Sequence, residues 1–244
     1  MAPTGVAVQN ICGETIHSAL RIHKTLGSFQ SLAFYDRTFF NSLKDIDTLI
    51  IDEVSMVSAS LFSFISDMFS VIKQQTIAFG GVNVILVGDL AQLPPVSGSP
   101  VYRSSEWKLF YPLFLRNPQR QNHDSQYYQV LQEIRLGQIT PRTWNILRQK
   151  AMNFHHHQPL DTILNVSNIV GYKQTADRIN RTICNMLPVH ENKFLISHSI
   201  DYVNGTAYDP SYSQKLFKHK TNLPASVRLQ QDARVMYLKN DLME

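Results

Sequence analysis

Residues 47–53 read Asp-Thr-Leu-Ile-Ile-Asp-Glu, a short apolar run that ends in two adjacent carboxylates. A run of this length between polar residues predicts a buried strand over Asp47–Ile51. A second apolar run, Val82–Val87, predicts another buried strand, and Gly88-Asp89 follows it. Acidic residues therefore follow two predicted strands, which indicates that both strands deliver polar side chains to one edge of a sheet.

Helical patterns stand between and after these strands. Ser58 and Asp124 are predicted N-caps, Gly137 is a predicted helix end, and Thr140-Pro141 opens a further helix. The remaining predicted elements are helices over Thr15–Leu26 and Gln174–Leu187 and strands over Asn168–Tyr172 and Arg234–Leu238. Strands that alternate with helices predict an α/β fold with an open parallel sheet, in which ligands bind at the carboxyl ends of the strands.

The composition is that of a folded protein. The chain has 244 residues, of which 43% are hydrophobic, enough for one large core or two modest ones. The net charge of +4 favours a polyanionic partner only weakly. Two distant cysteines form neither a disulfide framework nor a zinc site, so a reducing compartment is expected. We see no signal peptide at the N-terminus and no apolar run long enough to span a bilayer.

The two carboxylates of Asp52 and Glu53 suit nucleotide hydrolysis on a sheet of this kind. An aspartate at this place can hold the hydrated magnesium ion that bridges the phosphates. A neighbouring glutamate can orient and deprotonate the attacking water. The alternative is an ordinary strand end followed by a turn, where Asp and Glu are common, and these two residues alone do not decide between the two interpretations.

The segment Gly88–Val96 has the sequence Gly-Asp-Leu-Ala-Gln-Leu-Pro-Pro-Val. The glycine and the proline pair restrict the shape of the loop. A glutamine amide held in such a loop, here that of Gln92, can both donate and accept hydrogen bonds, so it could sense a terminal phosphate or its water. The alternative of an ordinary tight loop is the weaker interpretation, because nine residues in this order rarely occur by accident.

Four blocks in this order resemble the petite-integration-frequency family of DNA helicases, a branch of the superfamily-one helicases that is related to RecD. The blocks are Ala2–Ala7 with Asn10–Ser18 (motif Ia), Ile51–Val57 (motif II), Gly88–Val96 (motif III) and Arg120–Asp124 with Ile134–Gly137 (motif IV). The Ser-Met pair after Asp-Glu favours this branch over other superfamily-one helicases. The stretch from Leu223-Pro224 through Arg234–Asn240 is similar to the family's approach to motif V.

The resemblance implies an α/β fold of the RecA-like P-loop NTPase type with two parallel-sheet lobes, 1–118 and 119–244. We expect both lobes to be incomplete, because the chain contains no GK[ST] triplet and ends before motifs V and VI. A phosphate-binding loop supplies most of the contacts to ATP. The 244-residue chain is therefore expected to hydrolyse ATP poorly.

The family's ATP-site roles transfer to four residues, with ATP and Mg²⁺ as the implied cofactors. Asp52 is expected to hold Mg²⁺ through water, and Glu53 to act as general base. Gln92 is expected to couple the γ-phosphate to DNA. Arg120 is expected to act as an arginine finger from the second lobe.

For DNA, the resemblance implies that Thr4, His17 and Ser18 contact the phosphate backbone of a single strand. The implied partners are single-stranded DNA and forked duplex DNA, with a monomer favoured and with binding that weakens as salt rises. An ordinary surface histidine would be the better interpretation of His17 without the block around it.

The function that follows is an ATP-dependent 5′–3′ DNA helicase that translocates on single-stranded DNA and unwinds duplexes in DNA repair, recombination or telomere maintenance. The nucleus is the expected location, with the mitochondrion as the alternative. The competing interpretation is a catalytically dead remnant that acts at most as a DNA-binding or protein-binding module. An unrelated P-loop ATPase fits motif III and Arg120-Gln121 less well.

Overall fold

The computed structural model describes residues 1–25, 28–121, 123–156, 166–187, 194–203, 206–208, 226–231 and 233–235. The chain divides into two compact units, Met1–Ile139 and Thr140–Glu244. The sequence-based boundary between lobes at residue 118 stays a prediction.

The first unit contains five α-helices and four strands among the described residues. They are α1 (Gly5–Ile11), α2 (Ile16–Ala19), β1 (Ile22–Lys24), β2 (Phe29–Ser31), α3 (Arg37–Lys44), β3 (Thr48–Ile51), α4 (Ala59–Lys73), β4 (Asn83–Leu86) and α5 (Ser125–Leu136). The predicted caps are confirmed: Ser58 accepts a hydrogen bond from the Leu61 N–H, and Asp124 accepts one from the Tyr127 N–H. Gly137 ends α5 in the left-handed conformation.

The strands β3 and β4 pair in parallel, with Thr48 opposite Asn83 and Ile51 opposite Leu86. On the other side of β3, Met1 forms two backbone hydrogen bonds: its ammonium group donates to the Ile50 carbonyl at 2.8 Å, and its carbonyl accepts from the Asp52 N–H at 2.9 Å. Ala2 in turn forms a parallel bridge with Thr15. The chain start therefore lies beside β3, and Thr15 lies beside the chain start.

The core of this unit lies under α4. The apolar residues of α4 recur at helical spacing. Four of them are completely buried: Phe62, Ile65, Phe69 and Ile72. Phe62 also packs against the ring of Phe79 at 5.2 Å between centroids. Burial of large side chains along one helix stabilises the sheet beneath it, at about 1.5–3 kcal/mol for each fully buried side chain.

The helix predicted over Thr15–Leu26 is wrong beyond its first turn. Thr15 does cap α2, since its hydroxyl accepts from the Ser18 N–H, but the helix ends at Ala19. Arg21 then takes a left-handed conformation (φ 47°), and the chain continues as β1, which pairs antiparallel with β2. Leu20 belongs to the apolar pattern that predicted a helix, but Leu20 and Ile22 also alternate as they would in a strand. Both side chains are buried in this structure.

In the second unit, the described elements are α6 (Pro141–His156), α7 (Lys173–Met186), β5 (Phe194–His198), β6 (Asp201–Val203), β7 (Thr206–Tyr208) and β8 (Ser226–Gln230). Here α6 and α7 confirm two predicted helices. The described strands pair antiparallel, β5 with β8 and β6 with β7, where a parallel arrangement was expected. The alternation of strands and helices in the sequence does not fix the direction of pairing, and here the pairing is antiparallel in both pairs.

Two strand predictions do not match this unit. Residues 168–172 do not form a strand, because they pair with no other described segment. Arg234 and Val235 lie outside any strand, and the rest of that prediction, residues 236–238, lies outside the described residues. None of the described helices is both long enough and apolar enough to cross a membrane.

Candidate active site

The carboxyl end of β3 places Asp52 and Glu53 together, partly buried, at the sheet edge. One oxygen of Asp52, Oδ1, accepts a hydrogen bond from the Glu53 N–H at 2.8 Å. Glu53 itself is left-handed (φ 51°) and opens a short 3-10 turn over Val54–Met56. A non-glycine residue in this conformation is uncommon and is enriched at functional sites. The strand end and the turn therefore place the two carboxyl-bearing residues next to each other.

The ends of β3 and β4 are held against each other. The Val54 N–H donates to the Val87 carbonyl at 3.0 Å, and the Val87 N–H donates to the Ile51 carbonyl at 2.8 Å. Gly88 has φ 150°, and a Cβ atom there would lie 2.8 Å from the Val54 nitrogen. Only glycine fits such an approach without a shift of the backbone. The segments called motifs II and III are thus in direct backbone contact.

Asp89 organises the turn that carries Gln92. Its carboxylate Oδ1 accepts from the Ala91 N–H at 3.0 Å, and its carbonyl accepts from the Gln92 N–H at 2.9 Å. The same Oδ1 lies 2.6 Å from Nη2 of Arg135, near the end of α5. Burial raises the pKa of Asp89, but the hydrogen bonds from Ala91, Arg135 and Gln92 outweigh it and leave this pKa below its usual value.

The far end of the same loop is also fastened. The Ala59 N–H, at the start of α4, donates to the Ser99 carbonyl at 2.9 Å. Lys24, at the end of β1, donates to the Ser97 hydroxyl at 3.3 Å. The loop therefore contacts both the core helix and the β1–β2 hairpin, while its apolar tip residue Val96 is fully exposed (98%).

The residues at this edge fit a magnesium ion bound with nucleotide. Mg²⁺ in such sites typically takes one or two carboxylates, several waters and substrate phosphates, not a cage of protein ligands. Asp52 supplies one carboxylate, and since Oδ1 accepts from a backbone N–H, Oδ2 is the oxygen available to the ion or its water. Within the described segments no cluster of three or more His, Cys, Asp or Glu could bind a metal by itself.

Arg120 lies in the turn that precedes α5, with its side chain exposed. It makes no hydrogen bond or ion pair to another residue in the part of the chain that the structure describes, and nothing brings it next to Asp52. Its assignment as an arginine finger therefore stays a prediction.

The three residues predicted to contact DNA lie on two adjacent segments. Thr4 caps α1 by accepting from the Ala7 N–H at 3.3 Å, and the bridge between Ala2 and Thr15 sets the start of α1 beside α2. His17 and Ser18 both lie exposed on α2. Partial burial of the imidazole lowers the pKa of His17, so the ring is mostly neutral at pH 7 and offers hydrogen bonds in place of charge. The predicted contacts share one edge, and their role stays a prediction.

The ion pair between Asp89 and Arg135 was not predicted from the sequence. Both residues stood inside the quoted motifs, but 46 positions separate them, and only tertiary structure brings them together. The contacts of Arg21 were not predicted either: it forms an ion pair with Asp36 and lies 3.9 Å above the ring of Phe39. Arg135 lies in the last turn of α5, and nothing in the local sequence indicates its partner in a distant loop.

Comparison with known proteins gives one family. The family model described as PIF1-like helicase matches residues 1–143. The ATP-dependent DNA helicase PIF1 of Saccharomyces cerevisiae (strain YJM789) is 28% identical over 98% of this chain, which spans 28% of that protein. The human protein of the same name is 32% identical over 62% of the chain, an alignment that spans 25% of its own length. The chain thus spans well under half of these curated relatives.

Solved structures show the same architecture. The crystal structure of the Pif1 helicase from Candida albicans matches with a TM-score of 0.71 and 25% identity, over 94% of this chain and 51% of that one. The Pif1 helicase from Bacteroides, solved with ADP-AlF3 and single-stranded DNA, matches with a TM-score of 0.56 and 24% identity, over 82% of this chain and 50% of that one. The predicted α/β fold of RecA-like type is confirmed.

Proposed function

This chain belongs to the PIF1-like helicase family, and from that premise we propose that it is part of an ATP-dependent DNA helicase that moves 5′ to 3′ on single-stranded DNA. The observation that carries the proposal is the backbone contact between Gly88 and Val54. It joins the turn that bears Asp52 and Glu53 to the turn that bears Gln92 at one sheet edge. Open α/β sheets bind their ligands at this edge.

In the proposed reaction, Asp52 and Glu53 divide the work on ATP. Asp52 would hold Mg²⁺ through water, and when bound this ion supplies charge stabilisation to the phosphates. Glu53 would accept the proton of the water that attacks the γ-phosphate. The two carboxylates are held differently, which supports different roles for them. Asp52 Oδ1 accepts a hydrogen bond from a backbone N–H, whereas Glu53 has a left-handed backbone conformation.

Two further residues would act on the transferred phosphate. Gln92, whose side chain is exposed in the turn after β4, would report the presence of the γ-phosphate to the DNA-binding segments. Arg120 would stabilise charge on the phosphoryl group in the transition state. Both side chains are exposed in this structure. We propose that a bound ligand orders them.

Single-stranded DNA is the proposed nucleic-acid partner, with forked duplex as the substrate for unwinding and a monomer as the acting form. Thr4, His17 and Ser18 would donate to backbone phosphates from the adjacent starts of α1 and α2. The Bacteroides relative was solved with single-stranded DNA, and this supports the choice of ligand. DNA repair, recombination or telomere maintenance, in the nucleus or the mitochondrion, is the proposed setting.

The first test measures ATP hydrolysis by the purified 244-residue chain and by the full reading frame that contains it, with and without single-stranded DNA. We expect the hydrolysis that DNA stimulates to fall about 100-fold or more in Glu53→Gln, since a general base typically contributes about 10²–10⁴-fold. The matched control is Asp67→Asn, which removes an exposed carboxylate from α4 and should leave the rate unchanged. In a protein whose wild type shows hydrolysis stimulated by DNA, equal rates in Glu53→Gln and the wild type would refute the assignment of the base.

The second test measures binding to a fluorescent oligonucleotide across salt concentrations. Affinity for single-stranded DNA should fall steeply between about 50 mM and about 200 mM salt, because phosphate contacts release counterions. A salt-dependent complex without hydrolysis in either protein would favour a binding module over an enzyme. Absence of both binding and hydrolysis would overturn the proposed function.

A further inference from the structure

The ion pair between Arg135 and Asp89 links two parts of the first unit that the sequence separates widely. Nη2 of Arg135 lies 2.6 Å from Oδ1 of Asp89, and the side chains are 43% and 28% exposed. Asp89 uses the same carboxylate oxygen to accept from the Ala91 N–H, and its carbonyl accepts from the Gln92 N–H. This ion pair, the clamp, therefore holds Asp89, which accepts both of these hydrogen bonds in the turn.

The helix that carries Arg135 is packed on one side, where Tyr128, Leu131 and Gln132 are half-buried. Among the described residues of α5, only Val130 is buried, at 6% exposure. A positively charged residue in the last turn of a helix is stabilised by the helix dipole. This effect would explain a positive charge at Arg135 but not its ion pair with Asp89. The direction of the side chain toward Asp89, 46 residues earlier in the chain, is the feature that a dipole effect leaves unexplained.

The placement of α5 gives this link a consequence. Asp124 caps α5, and the turn that contains Arg120 comes directly before that cap. The clamp thus joins the turn that presents Gln92 to the helix that follows Arg120. A shift of α5 along its axis would displace Asp89 through the ion pair and so change the turn. A shift of the turn would in the same way displace Arg135 and α5.

We propose that Arg135 is a positioning residue that holds the Asp89–Gln92 turn in the shape required to present the Gln92 amide. Its role in ATP turnover rests on the proposed function, whereas its effect on the turn does not. The clamp is partly exposed, so its contribution to global stability is small and its loss acts on the turn. Arg135 touches neither nucleotide nor DNA in this scheme, and it acts through Asp89.

The decisive experiment measures amide hydrogen exchange at Ala91 and Gln92 by NMR in the 244-residue chain. In Arg135→Gln, exchange at both amides should be about two- to fivefold faster, the change expected from loss of a partly exposed ion pair. Exchange at the core residues Ile65 and Phe69 should be unchanged. The matched control, Arg103→Gln, removes an exposed arginine elsewhere in the same unit and should leave Ala91 and Gln92 as in the wild type.

Rescue separates positioning from general destabilisation. Arg135→Lys retains a donor and a charge, so it should restore at least half of the lost protection. Protection at Ala91 and Gln92 that stays at the wild-type level in Arg135→Gln would overturn the proposal, as would an equal loss at Ile65 and Phe69. This result stands whether or not the chain hydrolyses ATP.

A kinetic arm tests the consequence for turnover in whichever protein shows hydrolysis stimulated by DNA. Arg135→Gln should lower kcat several-fold and leave KM for ATP within about twofold, because the turn is shaped for the reacting state and not for initial binding. Faster exchange at Gln92 with an unchanged kcat would refute the role in turnover. Absence of hydrolysis in the wild type would count against the proposed function, while the exchange result would still decide the role of Arg135.

Discussion

Gly88 is the position at which a single added methyl group should do most damage to the candidate site. A Cβ atom there would lie 2.8 Å from the Val54 nitrogen, 3.3 Å from Val54 Cγ1 and 3.4 Å from the Glu53 carbonyl carbon. The first of these contacts involves backbone, so the turn must move. Crowding of this kind costs about 1–3 kcal/mol. The backbone conformation, with φ 150°, costs a side-chain-bearing residue about 1–3 kcal/mol more.

Two other glycines make a graded series with Gly88. Gly137 has φ 68° but open space around its Cβ position, so Gly137→Ala should cost about 1–2 kcal/mol from conformation alone. Gly5 begins α1 and has neither a left-handed φ nor a neighbour within 4 Å. There alanine should be neutral or stabilise the unit by up to about 1 kcal/mol. The expected order of stability is therefore Gly5→Ala, then Gly137→Ala, then Gly88→Ala.

Urea unfolding followed by tryptophan fluorescence measures this order. The chain has two tryptophans. Trp107 packs near Phe110 in the first unit, and Trp144 is 60% exposed in the second, so a Trp144→Phe background leaves one reporter for the unit that contains Gly88. Gly88→Ala should lose at least about 2 kcal/mol relative to Gly5→Ala. Equal stabilities of these two variants would refute the inferred close approach of the two motif segments.

Two shorter predictions concern a helix cap and a titration. Ser58→Ala removes the hydroxyl that accepts from the Leu61 N–H, so it should lower the free energy of unfolding of the first unit by about 1 kcal/mol in the same assay; no loss would mean that the cap is dispensable. Asp89 has a folded-state pKa below its usual 3.8, so its stabilising contribution is complete above that value and disappears as pH falls through the lower folded pKa. Carboxyl ¹³C NMR should show the Asp89 midpoint rising toward 3.8 in Arg135→Gln, and an unmoved midpoint would contradict the ion pair.

Local signals were sufficient for much of the first unit. The apolar runs at β3 and β4, the caps at Ser58 and Asp124 and the terminator at Gly137 were all predicted, because each depends on hydrogen bonds or periodicity within about four residues. The order of the motif blocks also sufficed to recognise the family. The catalytic and DNA-binding roles of the named residues remain predictions, since they depend on ligands.

Local signals failed where two periodicities coincided. The segment after Thr15 carries apolar residues at positions that satisfy both a helix and a hairpin. The left-handed Arg21 and the pairing of β1 with β2 decided for the hairpin. Arg21 is held there by Asp36 and Phe39, residues 15 and 18 positions away, and no window of local sequence contains that information.

The sequence by itself determined which residues could form a nucleotide-handling edge: Asp52 and Glu53 after one strand, and Gly88 and Gln92 after another. Only the tertiary structure decided how these groups are held. The parallel register of β3 with β4 brings Gly88 against Val54, and the packing of α5 brings Arg135 to Asp89. The reason is physical: strand and helix formation follow from near neighbours, whereas the contact of a carboxylate with an arginine 46 residues later depends on how the whole unit folds.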